Sequence, residues 1–170
     1  EKIVPFMAVI YVGAALIIIF MNAQHVPAAF AAIFNGAFTG AGIAGGEGLG
    51  KLVKEKWNCE PDLVVSAEGA AAGIVNTWRT GGMRTGLGNI CPDIPAEKYV
   101  SFESNGDAAA GLAPARDLLA ANPDAVRIAV VGLNDGGVLA LVNAAEQLGR
   151  ADEVMAWGQD GGFITGDNVN

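Results

Sequence analysis

AVRIAVVGLNDGG, Ala125–Gly137, is the stretch that decides how this chain folds. Apart from Arg127, its first nine residues are apolar, with no polar alternation. Such a run reads as a strand covered on both faces, the kind found in parallel sheets. It breaks into a polar, glycine-rich turn, Asn134-Asp135-Gly136-Gly137. GVLALVNAAEQLGR then switches to helical spacing, with Val138, Leu141, Val142, Ala145 and Leu148 expected inward. The sequence here runs strand, turn, helix.

Working outward, the same alternation repeats on both sides. EVMAWGQD (153–160) reads as the next strand. Upstream, DAAAGLAPARDLLAAN (107–122) reads as a helix opened by Asp107 as N-cap, with Ala108, Leu112, Ala115 and Leu119 on one face. KYVSFES (98–104) is a strand and GIVNTWRTGGMRTGLGNIC (73–91) a glycine-weakened helix. PDLVVSA (61–67) is a strand, and GEGLGKLVKEKW (46–57) a helix with Leu49, Leu52 and Val53 on its apolar face. Strands near 62–67, 98–104, 125–133 and 154–159 alternating with helices predict the α/β class with a doubly wound parallel sheet.

The N-terminal part differs in kind. From Ile3 to Gly46 there is no Asp, Glu, Lys or Arg. Ile3 to Met21 is long enough, at 1.5 Å per residue, to cross a hydrocarbon core of roughly 30 Å. We read 3–21 as a transmembrane-like helix; a signal-like segment and a buried core helix are the alternatives, and the Glu-Lys flank lacks the basic region of a signal peptide. AQHVPAAFAAIFNGAFTGAG (23–42) follows, a weaker candidate for a second membrane or interfacial helix. The chain is therefore divided into a hydrophobic membrane segment, 1–42, and an α/β unit, 43–170. The first residue is Glu, which fits a fragment or a processed chain.

The net charge of −8 lies wholly after Gly46, since Glu1 and Lys2 cancel. With no basic cluster to offset it, this acidity argues against nucleic acid and anionic lipid as partners. One His, two Cys and no ligand spacing argue against a bound metal or other cofactor. A Ser-His-Asp arrangement would need His25, in the apolar part, so no catalysis is expected. GAGIAG (40–45) matches a dinucleotide fingerprint without the strand that should precede it, which makes a Rossmann-type enzyme the third and weakest reading. GGEGLGKL (45–52) resembles a phosphate loop, but Leu52 replaces the required Ser or Thr.

The topology says where a site should be: outside the carboxyl ends of parallel strands. Four glycine-rich segments follow strands there, SAEGAA, SNGD, NDGG and QDGG. Asn134, Asp135, Gln159 and Asp160 should share that rim. The bland alternative is that Asp135 and Asp160 only cap helices. Cys59 precedes a strand and Cys91 ends the helix returning from it, so both fall at the opposite sheet edge. A disulfide there would imply an oxidising compartment; two buried thiols are the alternative.

Two family resemblances bear on these readings. Residues 1–40, through VPFMA and the N…VPAAF…IF…AFTG continuation, resemble a membrane segment of the sodium:alanine (amino acid:cation) symporter family. From about Ala41 onward, EGLGKLVKEKWNCEPDL, NTWRTGGM, CPDIPAEKYV, ARDLLAANPDA, GLNDGGVLALVNAAEQLG and WGQDGG resemble the C-terminal lobe of periplasmic type I sugar-binding proteins of ABC transporters. The chain is thus similar to a chimera joined near Gly40 to Gly46. The second resemblance implies sugar contacts from Asn134 and Asp160. It places Thr77 where a sugar-contacting arginine is usual and Arg79 at a second arginine, with Met83 where Phe is usual. It also implies ABC permease subunits and an N-terminal lobe as partners, a mono- or small saccharide as ligand, and a periplasmic or cell-envelope location, with a possible tether through 3–21. The first resemblance implies the rival reading, a fragment of a secondary transporter.

Overall fold

The computed structural model describes residues 28–160 and 164–165. The chain divides into two compact units, residues 1–36 and 37–170. Of the first, the described part is the opening of a helix, α1 (Ala28–Trp57), in which Phe30 stacks near Phe34 at 6.2 Å between centroids. The helix read for residues 3–21 lies outside the described residues. Among the described residues, no helix is long and apolar enough to cross a membrane.

The second unit is the α/β fold that the alternating pattern predicts. After α1 come β1 (Leu63–Glu68), α2 (Ile74–Ile90), β2 (Tyr99–Glu103), α3 (Ala108–Ala121), β3 (Ile128–Gly132), α4 (Asp135–Gln147), β4 (Val154–Trp157) and β5 (Ile164–Thr165). The sheet order is β2-β1-β3-β4-β5. The first four strands are parallel, in a register that sets Val64 beside Tyr99, Val65 beside Val130 and Ile128 beside Val154. β5 pairs antiparallel with β4 and was not foreseen; two residues offer too short a pattern to read.

β3 is buried at every position, as its unbroken apolar run demands. Its alternate residues feed two separate cores. Ile128 and Val130 pack with Val65, Leu119, Val138 and Leu141 under α3 and α4. Ala129 and Val131 pack with Val64, Met83, Leu87, Leu49 and Val53 under α1 and α2. Asp107 caps α3 as expected, its carboxylate accepting from Ala109 N and Ala110 N at 2.9 and 2.8 Å.

Two expectations need correction. The helix expected at 46–57 starts at Ala28, because no proline lies between Pro27 and Pro61 and the intervening glycines only weaken a helix. Leu148, expected inward, is 40 % exposed. It stands just past the end of α4, where Gly149 turns the chain at φ +69° and ends the helical period.

The glycines of α1 have a packing reason. A Cβ on Gly42 or Gly46 would lie under 3.0 Å from the Arg79 or Met83 carbonyl, and one on Gly82 or Gly86 under 3.0 Å from that of Thr39 or Ile43. Two glycine pairs, each four residues apart, thus interlock α1 and α2 with their backbones in contact. The GAGIAG run lies inside this helix and not at a strand-to-helix turn, which removes the dinucleotide reading.

At the amino ends of the strands, Cys59 and Cys91 form a disulfide with Cα atoms 5.3 Å apart. Asp62 accepts from Val126 N and Arg127 N and pairs with the Arg127 guanidinium at 2.8 Å. The guanidinium hydrogen bond, above all, holds the Asp62 carboxyl below its usual range.

Candidate functional site

The carboxyl ends of β1, β2, β3 and β4 form one polar rim, and the fold brings most of the expected residues to it. Asn134 ends the β3 turn in extended backbone and is the N-cap of α4. Its Oδ1 accepts from Gly137 N at 2.9 Å, and its Nδ2 donates to the Gly106 carbonyl at 2.9 Å. One amide therefore caps a helix and ties the β3 turn to the β2 turn. The capping role lies with Asn134, not with Asp135.

Asp135 and Asp160 face each other across the β3 and β4 turns. Asp160 N donates to Asp135 Oδ1 at 2.9 Å, and Asp135 N to Asp160 Oδ2 at 3.5 Å. Gly158 makes this approach possible, since a Cβ there would collide with the Asp135 carboxylate. Arg79 reaches the same place from α2. Its Nη1 donates to the Leu133 carbonyl at 2.8 Å and lies 3.4 Å from Asp160 Oδ1. Its guanidinium also sits 5.2 Å over the Phe38 ring. Asp160 is half exposed, so this pair is weak in energy and serves to aim the carboxylate.

Gln159, beside Asp160, has both amide atoms buried with no hydrogen-bond partner among the described residues, as does Arg79 Nε. Buried polar atoms without partners are uncommon in native folds and mark a place for water or a ligand group.

Thr77 does not join this cluster. Residues two apart on a helix point to different sides. Thr77 is exposed and lines a groove between α2 and β2, whereas Arg79 turns to Leu133 and Asp160. Met83 is fully buried in the core under α2. Trp78 stacks on Phe38 at 6.4 Å and Trp157 packs against Gly45 and Gly48 of α1, so the packing of these two indoles does not present them on the rim.

Ser104 is the rim residue that sequence reasoning passed over. It is fully buried, donates from Oγ to the Glu68 carbonyl at 2.8 Å and accepts from Gly106 N at 3.1 Å. It thereby fixes the turn to which Asn134 is tied. Its signal was the SNGD segment, whose position was expected on the rim but whose serine has no distinctive neighbour in sequence.

The rim as built offers amide and carboxylate groups on glycine-rich turns. Among the described residues, no cluster of His, Cys, Asp and Glu could hold a metal ion.

Comparison with known proteins finds likenesses to two different kinds of protein. The model of the Sodium:alanine symporter family matches residues 1–55. An uncharacterized transporter of Bacillus subtilis, YflA, is 48 % identical over 46 residues, which is 27 % of this chain and 10 % of that protein. Solved structures match about two thirds of this chain. One is an ABC transporter periplasmic solute-binding protein of Actinobacillus succinogenes with bound D-allose, at 26 % identity and TM-score 0.54, covering 68 % of this chain and 38 % of that one. Another is an ABC transporter solute-binding protein of Agrobacterium vitis with bound D-fucose, at 26 % identity and TM-score 0.50, covering 67 % and 37 %. A third, from the same organism with bound α-D-tagatopyranose, is 20 % identical with TM-score 0.53 and shows the fold alone. The chain spans under two fifths of the length of these structures and a tenth of the curated relative.

Proposed function

We propose that the α/β part is one lobe of a substrate-binding component for ABC-type sugar import, binding a mono- or small saccharide without catalysis. The observation that carries this is the rim: Asn134, Asp135, Gln159, Asp160 and Arg79 at the carboxyl ends of β3 and β4, on a fold shared with proteins solved with sugars bound. Amides and carboxylates pair naturally with neighbouring hydroxyls, each donating or accepting in turn. Asn134 and Asp160 are the proposed principal contacts and Arg79 a group that aims Asp160. Thr77, set apart on α2, is assigned at most a peripheral contact.

In this reading the chain has a membrane segment, 1–42, with membrane contact through 3–21, and a lobe, 43–170. An N-terminal lobe supplied from elsewhere closes the site, and ABC permease subunits receive the sugar. The location is the periplasm or cell envelope, which agrees with the Cys59–Cys91 bond. No nucleic acid and no cofactor enters. The second reading, a fragment of a sodium:alanine-type symporter, rests on the likeness of residues 1–55.

The test is amide shift mapping on the isotope-labelled chain with millimolar D-allose or D-fucose. A single lobe binds weakly, because the burial gained on closure is missing. Shifts at Asn134–Gly137 and Gly158–Asp160 support the reading. No shifts, or shifts only elsewhere, contradict it.

A further inference from the structure

A second opening lies on the sheet face beneath α2, meeting the rim only at the Glu68 end of β1. α2 packs on β1 and β3, and its glycines draw it toward α1. The same face of the edge strand β2 stays open, as a groove of about 380 Å³ between α2 and β2. Its floor is unlike the rest of that face. The register sets Ser66 beside Ser101, with Tyr99 one step toward the amino end and Glu68 one step toward the carboxyl end. Small hydroxyls stand where Val64, Ala129 and Val131 fill the same face elsewhere.

The polar groups of this groove fall into two sets. Glu68 is already served, accepting from Ser66 Oγ and Asn76 Nδ2, both at 2.5 Å. Arg84 lies over the Tyr99 ring at 4.6 Å and, among the described residues, has no carboxylate or carbonyl partner. The Tyr99 and Ser101 hydroxyls likewise have no partner among the described residues. A guanidinium and two hydroxyls, all unused and all able to donate, form an acceptor-seeking set on one wall. Burial raises the Tyr99 phenol above its usual value, so it remains a donor at neutral pH. Stacking on Tyr99 also restrains the Arg84 side chain, which lowers the entropy lost when it takes up an anion.

We propose that this groove binds a small sugar acid, with its carboxylate on Arg84 and its hydroxyls along Tyr99, Ser101 and the Glu68–Asn76 end. The volume suits one pyranose ring. A neutral sugar would offer the guanidinium only hydroxyl oxygens, weaker acceptors than a carboxylate, and a bare carboxylate would leave the hydroxyl row unused. The site is independent of the rim reading, since it shares neither Asn134 nor Asp160.

Calorimetry on the full chain with glucuronate, glucose and acetate separates the cases. The expected result is that glucuronate binds at least tenfold more tightly than either control. Arg84→Gln then lowers its affinity about tenfold or more, and Ser101→Trp fills the groove and removes binding. Arg84 and Ser101 are exposed, and melting curves on both variants test whether they fold. Equal binding of acetate or of glucose overturns the proposal, as does absence of glucuronate binding. Binding that survives Arg84→Gln but is lost in Asn134→Ala assigns the ligand to the rim and also overturns it.

Discussion

Asn134 does two structural tasks, and each has a measurable consequence. Asn134→Ala removes the α4 N-cap and the tie to Gly106, so urea unfolding should show a loss of about 1–2 kcal/mol. Asn134→Asp keeps the cap and loses only the donor to Gly106, so it should cost less. Asp62 gives a pH signature at the other end of the sheet. Its carboxyl is depressed in the folded state, chiefly by the hydrogen bond from the Arg127 side chain. A depressed carboxyl stabilises the fold above its unfolded value, near pH 4, and that stability is lost as pH falls through the folded value. Asp62→Asn should therefore lower stability at neutral pH and flatten the acid limb of a pH–stability curve; an acid limb unchanged from the parent would refute the assignment. At this scale the sequence disclosed which turns carry polar residues but not how they pair. The Asp135–Asp160 exchange depends on Gly158, whose significance appears only when two turns distant in sequence are side by side.

The elements were legible wherever the hydrophobic period was strong. β3, α3 and α4 follow from apolar runs and i, i+3, i+4 spacing, with boundaries set by Asp107, Asn134 and Gly149. α1 was read short because glycines and an uncharged composition obscure its helical period, and its true stabilisation comes from α2. The interlocked glycines make a pointed prediction. Gly86→Ala drives a methyl into the Ile43 carbonyl and should cost more than the ordinary gain from replacing a helical glycine, whereas Gly81, with open space around its position, should accept Ala with a gain of up to about 1 kcal/mol. Thermal melts of the two variants should move in opposite directions. The disulfide fastens the far ends of the same two helices. Its sequence separation of 32 sets the chain-entropy effect, so Cys59→Ala with Cys91→Ala should lose about 3–4 kcal/mol against the oxidised parent.

For the molecule as a whole, the readable content was the two-part character of the chain: without charged residues from Ile3 to Gly46, acidic and α/β beyond it. The symporter-family likeness covers residues 1–55, past the end of the uncharged stretch, and the sugar-binding structures match about two thirds of the chain. What could not be read is where one part ends. Gly42 already meets Arg79 and Gly82, so a chain beginning at residue 37 should fold cooperatively and one beginning at 43 should melt lower. Equal melting of the two would place the boundary later in α1. The central claim is that the rim holds a sugar. Its most direct measurement is calorimetry of the chain combined with the N-terminal lobe of a sugar-binding relative, titrated with monosaccharides. The account predicts saturable binding of a monosaccharide that weakens by about 1–3 kcal/mol in both Asn134→Ala and Asp160→Ala, as for buried hydrogen-bond partners left unpaired. No binding by the combined lobes, or unchanged affinity in both variants, would contradict it.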